Sequence, residues 1–276
     1  MPEASRDRSS GTFGKNMTRS ITVPTIPSLI SSQLRETAQS LREMHERLAA
    51  QAPKIESAIR MMDTEVARAL HEDDDMSPLG RLIAYRTTLW AQHGWFPSTW
   101  DTPLELISRT AEVLGTAKHE MAERAIATHF DRDRQKHIDC VINSHPTRNA
   151  ILSDALAAHD EGRFALSIPV FLTQADGIGA GFFEIDSIYT TSESNFAKIK
   201  AKYDREKKIF KIRYLHFLVA TLTPLNASRG RRQKYQTPFN RHTVIHGESI
   251  DYPTRINSLK SISWLGFVAD LVKPEQ

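Results

Sequence analysis

The sequence predicts an all-α protein. Three observations carry that expectation. Apolar residues recur at helical spacing in one segment after another. Alternating patterns bounded by hairpin turns, the mark of strands, are scarce. Helix start and stop residues punctuate the apolar runs. The chain has 276 residues and is 40% hydrophobic, enough for a sizeable core in one or two domains. No run of about 18 apolar residues occurs, so no membrane span is expected.

The elements follow in order. Residues 1–27 are polar, lack the apolar stretch of a secretory leader and read as a disordered tail, with Met17 as an alternative start to Met1. A helix over 28–50 is capped by Ser28 and carries a stripe of Leu34, Leu41, Met44 and Leu48. A second runs over 53–70, with Pro53 in its first turn and Ile55, Ile59, Met62 and Val66 on one face. HEDDDMSP, residues 71–78, reads as a solvated acidic break. Leu79 to Trp90 is a short helix, and HGWFPSTWDTP an aromatic turn built as a core corner. Long helices are expected over 103–129 and 133–143, then one over 151–159 that stops at Gly162. Residues 163–185 form a mostly apolar helix with Pro169 in its first turn. Its Gln174 and Asp176 must find partners or face a site, and its glycines give a smooth face for close backbone approach. Residues 191–208 are an exposed helix or loop, 209–222 a helix ended by Pro224, and 226–236 a flexible basic loop. The sole cysteine, Cys140, excludes an internal disulfide or a cysteine-rich zinc site, in keeping with a soluble, cytoplasmic protein.

Net charge is only +3, but it is unevenly placed. Residues 198–241 hold 13 basic side chains against 2 acidic ones, Asp204 and Glu206. That excess suits phosphate, and equally a solvated helix face. Within it, Arg229, Arg231, Arg232 and Lys234 form the basic loop proposed to meet nucleic acid.

The chemistry concentrates near the carboxy terminus. Thr237 reads as a cap, Pro238 as the first helical residue and Gly247 as the stop, giving a short helix over 238–246. A last helix begins at Asp251 or Thr254 and buries Ile256, Leu259, Ile262, Leu265 and Val268. On a regular helix His242 and His246 lie about 40° apart, whereas Arg241 and His246 lie about 140° apart. Arg241 keeps its charge, and its fork suits a phosphate. A titratable imidazole beside a fixed cation is minimal equipment for cutting a phosphodiester with a neighbouring 2′-hydroxyl. Two other readings stand beside this one. Arg241 could pair with Asp176 or Glu248 in a polar seam, or His242 and His246 could chelate a metal with Glu248 or Asp251.

The segment Arg241-His-Thr-Val-Ile-His246 resembles the R-x4-6-H motif of HEPN (higher eukaryotes and prokaryotes nucleotide-binding) domains, including the polar residue after the arginine. The flanking PFNRHTVIHGESIDYPTRINSLKSISWLGFV and the upstream RNAILSDALAAHDEGRFALSIPVFLTQADGI are similar to a group of uncharacterised bacterial proteins. The likeness covers roughly residues 144–272. It implies a HEPN-like helical bundle over 144–276, preceded by a helical region over 28–143. It further implies a homodimer with a composite site and metal-independent RNA cleavage in phage defence or toxin–antitoxin stress response. Arg241 and His246 would be catalytic, supported by Asn240, His242 and Asp176. RNA, a second copy of the chain and an antitoxin or defence-system protein are the expected partners, with no cofactor and no membrane. The alternative is a non-catalytic helical module that binds nucleic acid or protein, its Arg/His motif being structural.

Overall fold

The computed structural model describes residue 39 and residues 78–98, 101–189, 193–205, 224–227 and 239–272. All but residue 39 fall within one compact unit, residues 48–276. Eight α-helices and no strand occur among the described residues, so the fold is all-α. The helices are α1 (Pro78–Gln92), α2 (Leu104–Leu114), α3 (His119–Ser144), α4 (Asn149–Asp160), α5 (Phe164–Phe183), α6 (Glu193–Arg205), α7 (Arg241–Ile245) and α8 (Arg255–Leu271). Single 3-10 turns stand at Pro146–Arg148 and Pro224–Asn226. Apart from residue 39, the helices expected over 28–50, 53–70 and 209–222 lie outside the described residues, as do Arg229, Arg231, Arg232 and Lys234.

The last helix is central. α8 packs against both α3 and α5, α4 lies on α5, α2 lies on α3, and α1 lies on α2. A one-sided apolar stripe was the sequence expectation. Instead every residue from Ser258 to Leu271 is buried, while Ile256, placed on the inner face by its spacing, is 42% exposed. A helix enclosed on all sides must partner its polar groups internally. Ser258 is fully buried between His159 Nδ1 (2.7 Å) and the Ser167 hydroxyl (3.0 Å), which ties α4, α5 and α8 together. Lys260 Nζ stands 3.6 Å from Glu123 Oε2, and Glu123 Oε1 meets His93 Nδ1 at 2.8 Å. Burial lowers the Lys260 pKa despite that carboxylate.

The aromatic turn fills the space between α1, α3 and α8, as a core corner should. Trp95 stacks on Phe130 at 5.6 Å between ring centres, and Phe96 meets Trp264 edge-on at 4.7 Å. Buried Asp101 then fastens the turn to α3, accepting from the Ser98 hydroxyl and facing His137 Nδ1. One hydrophobic core therefore continues across residue 143, from Trp90 to Val272.

Three expectations are corrected. The break between the long helices falls at Gly115–Lys118, and α3 continues unbroken through residues 130–132. Two charges in that stretch pair with neighbouring elements: Arg134 with Asp160 (2.6 Å) and Asp131 with Arg255 (2.5 Å). Pro169 sits a turn and a half inside α5 rather than in its first turn. Proline has no N–H for the carbonyl of Ala165, and the Tyr252 hydroxyl donates to that oxygen instead (3.1 Å). Residues 226 and 227, expected in a flexible loop, are buried. Of the α5 glycines, Gly179 is the one that close packing requires: a Cβ there would lie 2.5 Å from Ile188 Cγ2.

Burial lowers the pKa of His129, His145 and His159. These imidazoles are harder to protonate in the fold than in the unfolded chain, which protonates its histidines near pH ~6.5. Below that pH the unfolded state binds more protons, so stability falls with further acidification. The thermal midpoint should decline steadily from pH 7 to pH 5, and His159→Gln should flatten that slope. A midpoint that is flat across this window would contradict the assignment.

Candidate functional site

Helix α7 is shorter than its sequence suggested. Asn240 is extended (φ −142°, ψ 131°), so the helix starts at Arg241 rather than at Pro238. Asn240, not Thr237, is the cap. Its side-chain oxygen accepts from the amides of His242 (2.9 Å) and Thr243 (3.4 Å), and its Nδ2 donates to the Ala227 carbonyl (3.0 Å). One buried amide thus starts α7 and pins it to Ala227, next to the Pro224–Asn226 turn. Phe239 and Val244 anchor the segment in the core. At the other end Gly247 has φ +68°, the left-handed conformation that stops a helix, as its position in the sequence predicts.

Capping this way sets the motif side chains. Arg241 is half-buried, with its guanidinium carbon 4.1 Å above the centre of the Tyr189 ring. Its Nε donates to Asn226 Oδ1 (3.0 Å), and Nη2 donates to the Tyr189 carbonyl (3.5 Å) and to His242 Nε2 (3.0 Å). An arginine N–H can only donate, so His242 Nε2 accepts and its ring proton sits on Nδ1. His242 and His246 lie nearly parallel, 5.8 Å between centres and 17° between planes. His246 is exposed. The two imidazoles therefore lie side by side, and Arg241 is linked to His246 by way of His242.

Asp176 supports the site from one step behind. Both its oxygens accept from the Ser187 hydroxyl (2.9 and 3.0 Å), and Oδ1 also accepts the Ile188 amide (2.8 Å). Burial raises its pKa, against the pull of these donors and of Arg241. The carboxylate shapes the turn that presents Tyr189. Tyr189 is locked in turn: its hydroxyl donates to the Leu172 carbonyl (3.0 Å) and accepts from Trp264 Nε1 (2.8 Å). Burial pushes that phenol well above its ordinary pKa, so it stays a donor. Gln174, the other polar residue singled out on α5, accepts from Arg148 on a different face.

Of the residues the sequence singles out, Asn240, Arg241, His242 and His246 stand together at α7 and Asp176 stands behind the 187–189 turn; Tyr189 and Asn226, which it missed, join them through Arg241. Neither missed residue lies in a periodic segment, and both reach Arg241 only through tertiary packing. The Pro-Leu-Asn turn before the basic run was the one available signal for Asn226. Among the described residues, no three His, Cys, Asp or Glu side chains converge where a metal could sit, and Asp251 accepts from Ser249 (2.8 Å).

Comparison with family models, with curated proteins and with solved structures found no match.

The cap makes a test of the local geometry. Asn240→Ala should cost about 1–2 kcal/mol in urea unfolding. Asn240→Asp should not restore the full loss, because it keeps the acceptor for α7 but loses the donor to Ala227. Full stability in Asn240→Asp would show that the tie to Ala227 contributes nothing.

Proposed function

We propose that this chain is a metal-independent endoribonuclease of the HEPN type, acting on RNA as a homodimer in phage defence or toxin–antitoxin stress response. The observation that carries this reading is the held guanidinium of Arg241 beside the His242–His246 imidazole pair, with His246 open to solvent. The chemistry is a balanced transesterification. An imidazole takes the proton of the ribose 2′-hydroxyl, whose oxygen attacks phosphorus. Arg241 stabilises the charge that grows on the phosphoryl oxygens. The P–O5′ bond breaks, the 5′-oxygen receives a proton from an imidazolium, and a 2′,3′-cyclic phosphate remains. His246 is the proton carrier, because His242 Nε2 is engaged by Arg241. In a dimer a second copy of the motif supplies the other half of a composite site. The basic run Arg229, Arg231, Arg232 and Lys234 is assigned to the RNA backbone.

A second reading draws on the same contacts. The Nε and Nη2 donors of Arg241 are spent on Asn226, Tyr189 and His242, as in a lock between α7 and the segments beside it. In that case the chain is a non-catalytic module that binds nucleic acid or protein, and the motif is structural.

One experiment separates the two. The full chain, Arg241→Ala and His246→Ala are incubated with a mixed RNA pool in excess EDTA, and thermal midpoints are measured alongside. The nuclease reading predicts cyclic-phosphate ends from the wild type and losses of at least ~100-fold in both variants. It also predicts a wild-type midpoint for His246→Ala. Absence of cleavage, with a sharp drop in midpoint for Arg241→Ala, would establish the structural reading.

A further inference from the structure

We propose that Tyr189 is the positioning residue for Arg241, and that Asp176 and Trp264 act on the site through it. The inference rests on Arg241 being the functional cation.

An arginine side chain has many rotamers, and fixing a guanidinium for one phosphate geometry costs entropy unless its surroundings already hold it. Tyr189 supplies two of the contacts that hold Arg241: the ring face at 4.1 Å and the main-chain carbonyl at 3.5 Å. The same carbonyl accepts from Asn226 Nδ2 (3.5 Å), and Asn226 Oδ1 takes Arg241 Nε (3.0 Å). The guanidinium therefore sits in a frame whose reference point is Tyr189.

Tyr189 is itself fixed from two sides. From the core, Trp264 of α8 donates to its hydroxyl, and the two rings stack at 6.1 Å. From α5, Asp176 gathers Ser187 and Ile188 and sets the path of the turn. Gly179, also on α5, lets Ile188 sit where any larger residue would push it away. Asp176 thus reaches Arg241 by its charge and through this turn, while its hydrogen bonds go to Ser187 and Ile188. The arrangement is a support built on rigid helices beneath a single cation, which is how a fixed charge is held ready for a transition state.

The test uses the full chain and two readouts. The first is the Arg241 Nε–H resonance in NMR, assigned by its disappearance in Arg241→Lys. The second is RNA cleavage in EDTA with kcat and KM resolved. Tyr189→Leu should lose the slowly exchanging Nε–H signal and lower kcat about tenfold, with a smaller change in KM. Tyr189→Phe keeps the ring and the carbonyl, so it should retain the signal and fall between wild type and Tyr189→Leu in kcat. If Tyr189→Leu does not fold, Gly179→Ala carries the test, because it displaces Ile188 without touching the motif, and the same loss of signal is expected. A folded Tyr189→Leu or Gly179→Ala with the wild-type Arg241 signal would overturn the inference. If the wild type cleaves no RNA, the ribonuclease reading fails by itself, and the Nε–H signal alone decides whether Tyr189 positions the cation.

Discussion

The structure depends on a helix with no solvent-facing side along most of its length. From Ser258 to Leu271, α8 is enclosed by α3, α5 and the aromatic turn. Such a helix is costly if any polar group lacks a partner. Four of its polar side chains have one close by: Ser258 between His159 and Ser167, Lys260 beside Glu123, Ser263 accepting from the Phe96 amide (3.3 Å), and Trp264 donating to Tyr189. These contacts fix which neighbour lies against which turn of α8. Apolar packing alone would leave that register loosely specified.

The last of those contacts carries the order of the core outward. Trp264 holds the Tyr189 hydroxyl, and the Tyr189 ring and carbonyl hold Arg241. Asn226 and Asn240 complete the frame from the other side, one through the arginine and one through the helix cap. α7 is only five residues long and could not hold itself in place by its own hydrogen bonds. Its geometry is borrowed from the buried elements around it. That is why a short segment near the surface can present one cation and two imidazoles in a defined arrangement.

The sequence showed the helices well where apolar spacing or a glycine stop was strong: α1, α4, the body of α5 and the Gly247 end of α7 all stand close to expectation. It misled where a local signal had a stronger tertiary competitor. Thr237-Pro238 is a good helix start in isolation, yet Asn240 caps α7 because its amide can also reach Ala227. The helix expected to end at residue 129 runs on through residues 130–132, where Asp131 meets Arg255, and Arg134 just beyond meets Asp160. The stripe on α8 hid the fact that its small polar residues also point into the protein. At the candidate site, the motif residues were visible from their types and spacing. Tyr189 and Asn226 were not, because they belong to aperiodic segments and meet Arg241 only when α5, α8 and the 3-10 turn are assembled.

Native-state hydrogen exchange on the full chain tests the central role of α8 most directly. If α8 is the spine, its amides between Leu259 and Leu271 exchange only through global unfolding, together with the middle of α5, while the amides of α7 open earlier. Exchange of α8 ahead of α2 or α4 would contradict this account, since the site would then rest on an element less stable than those at its periphery.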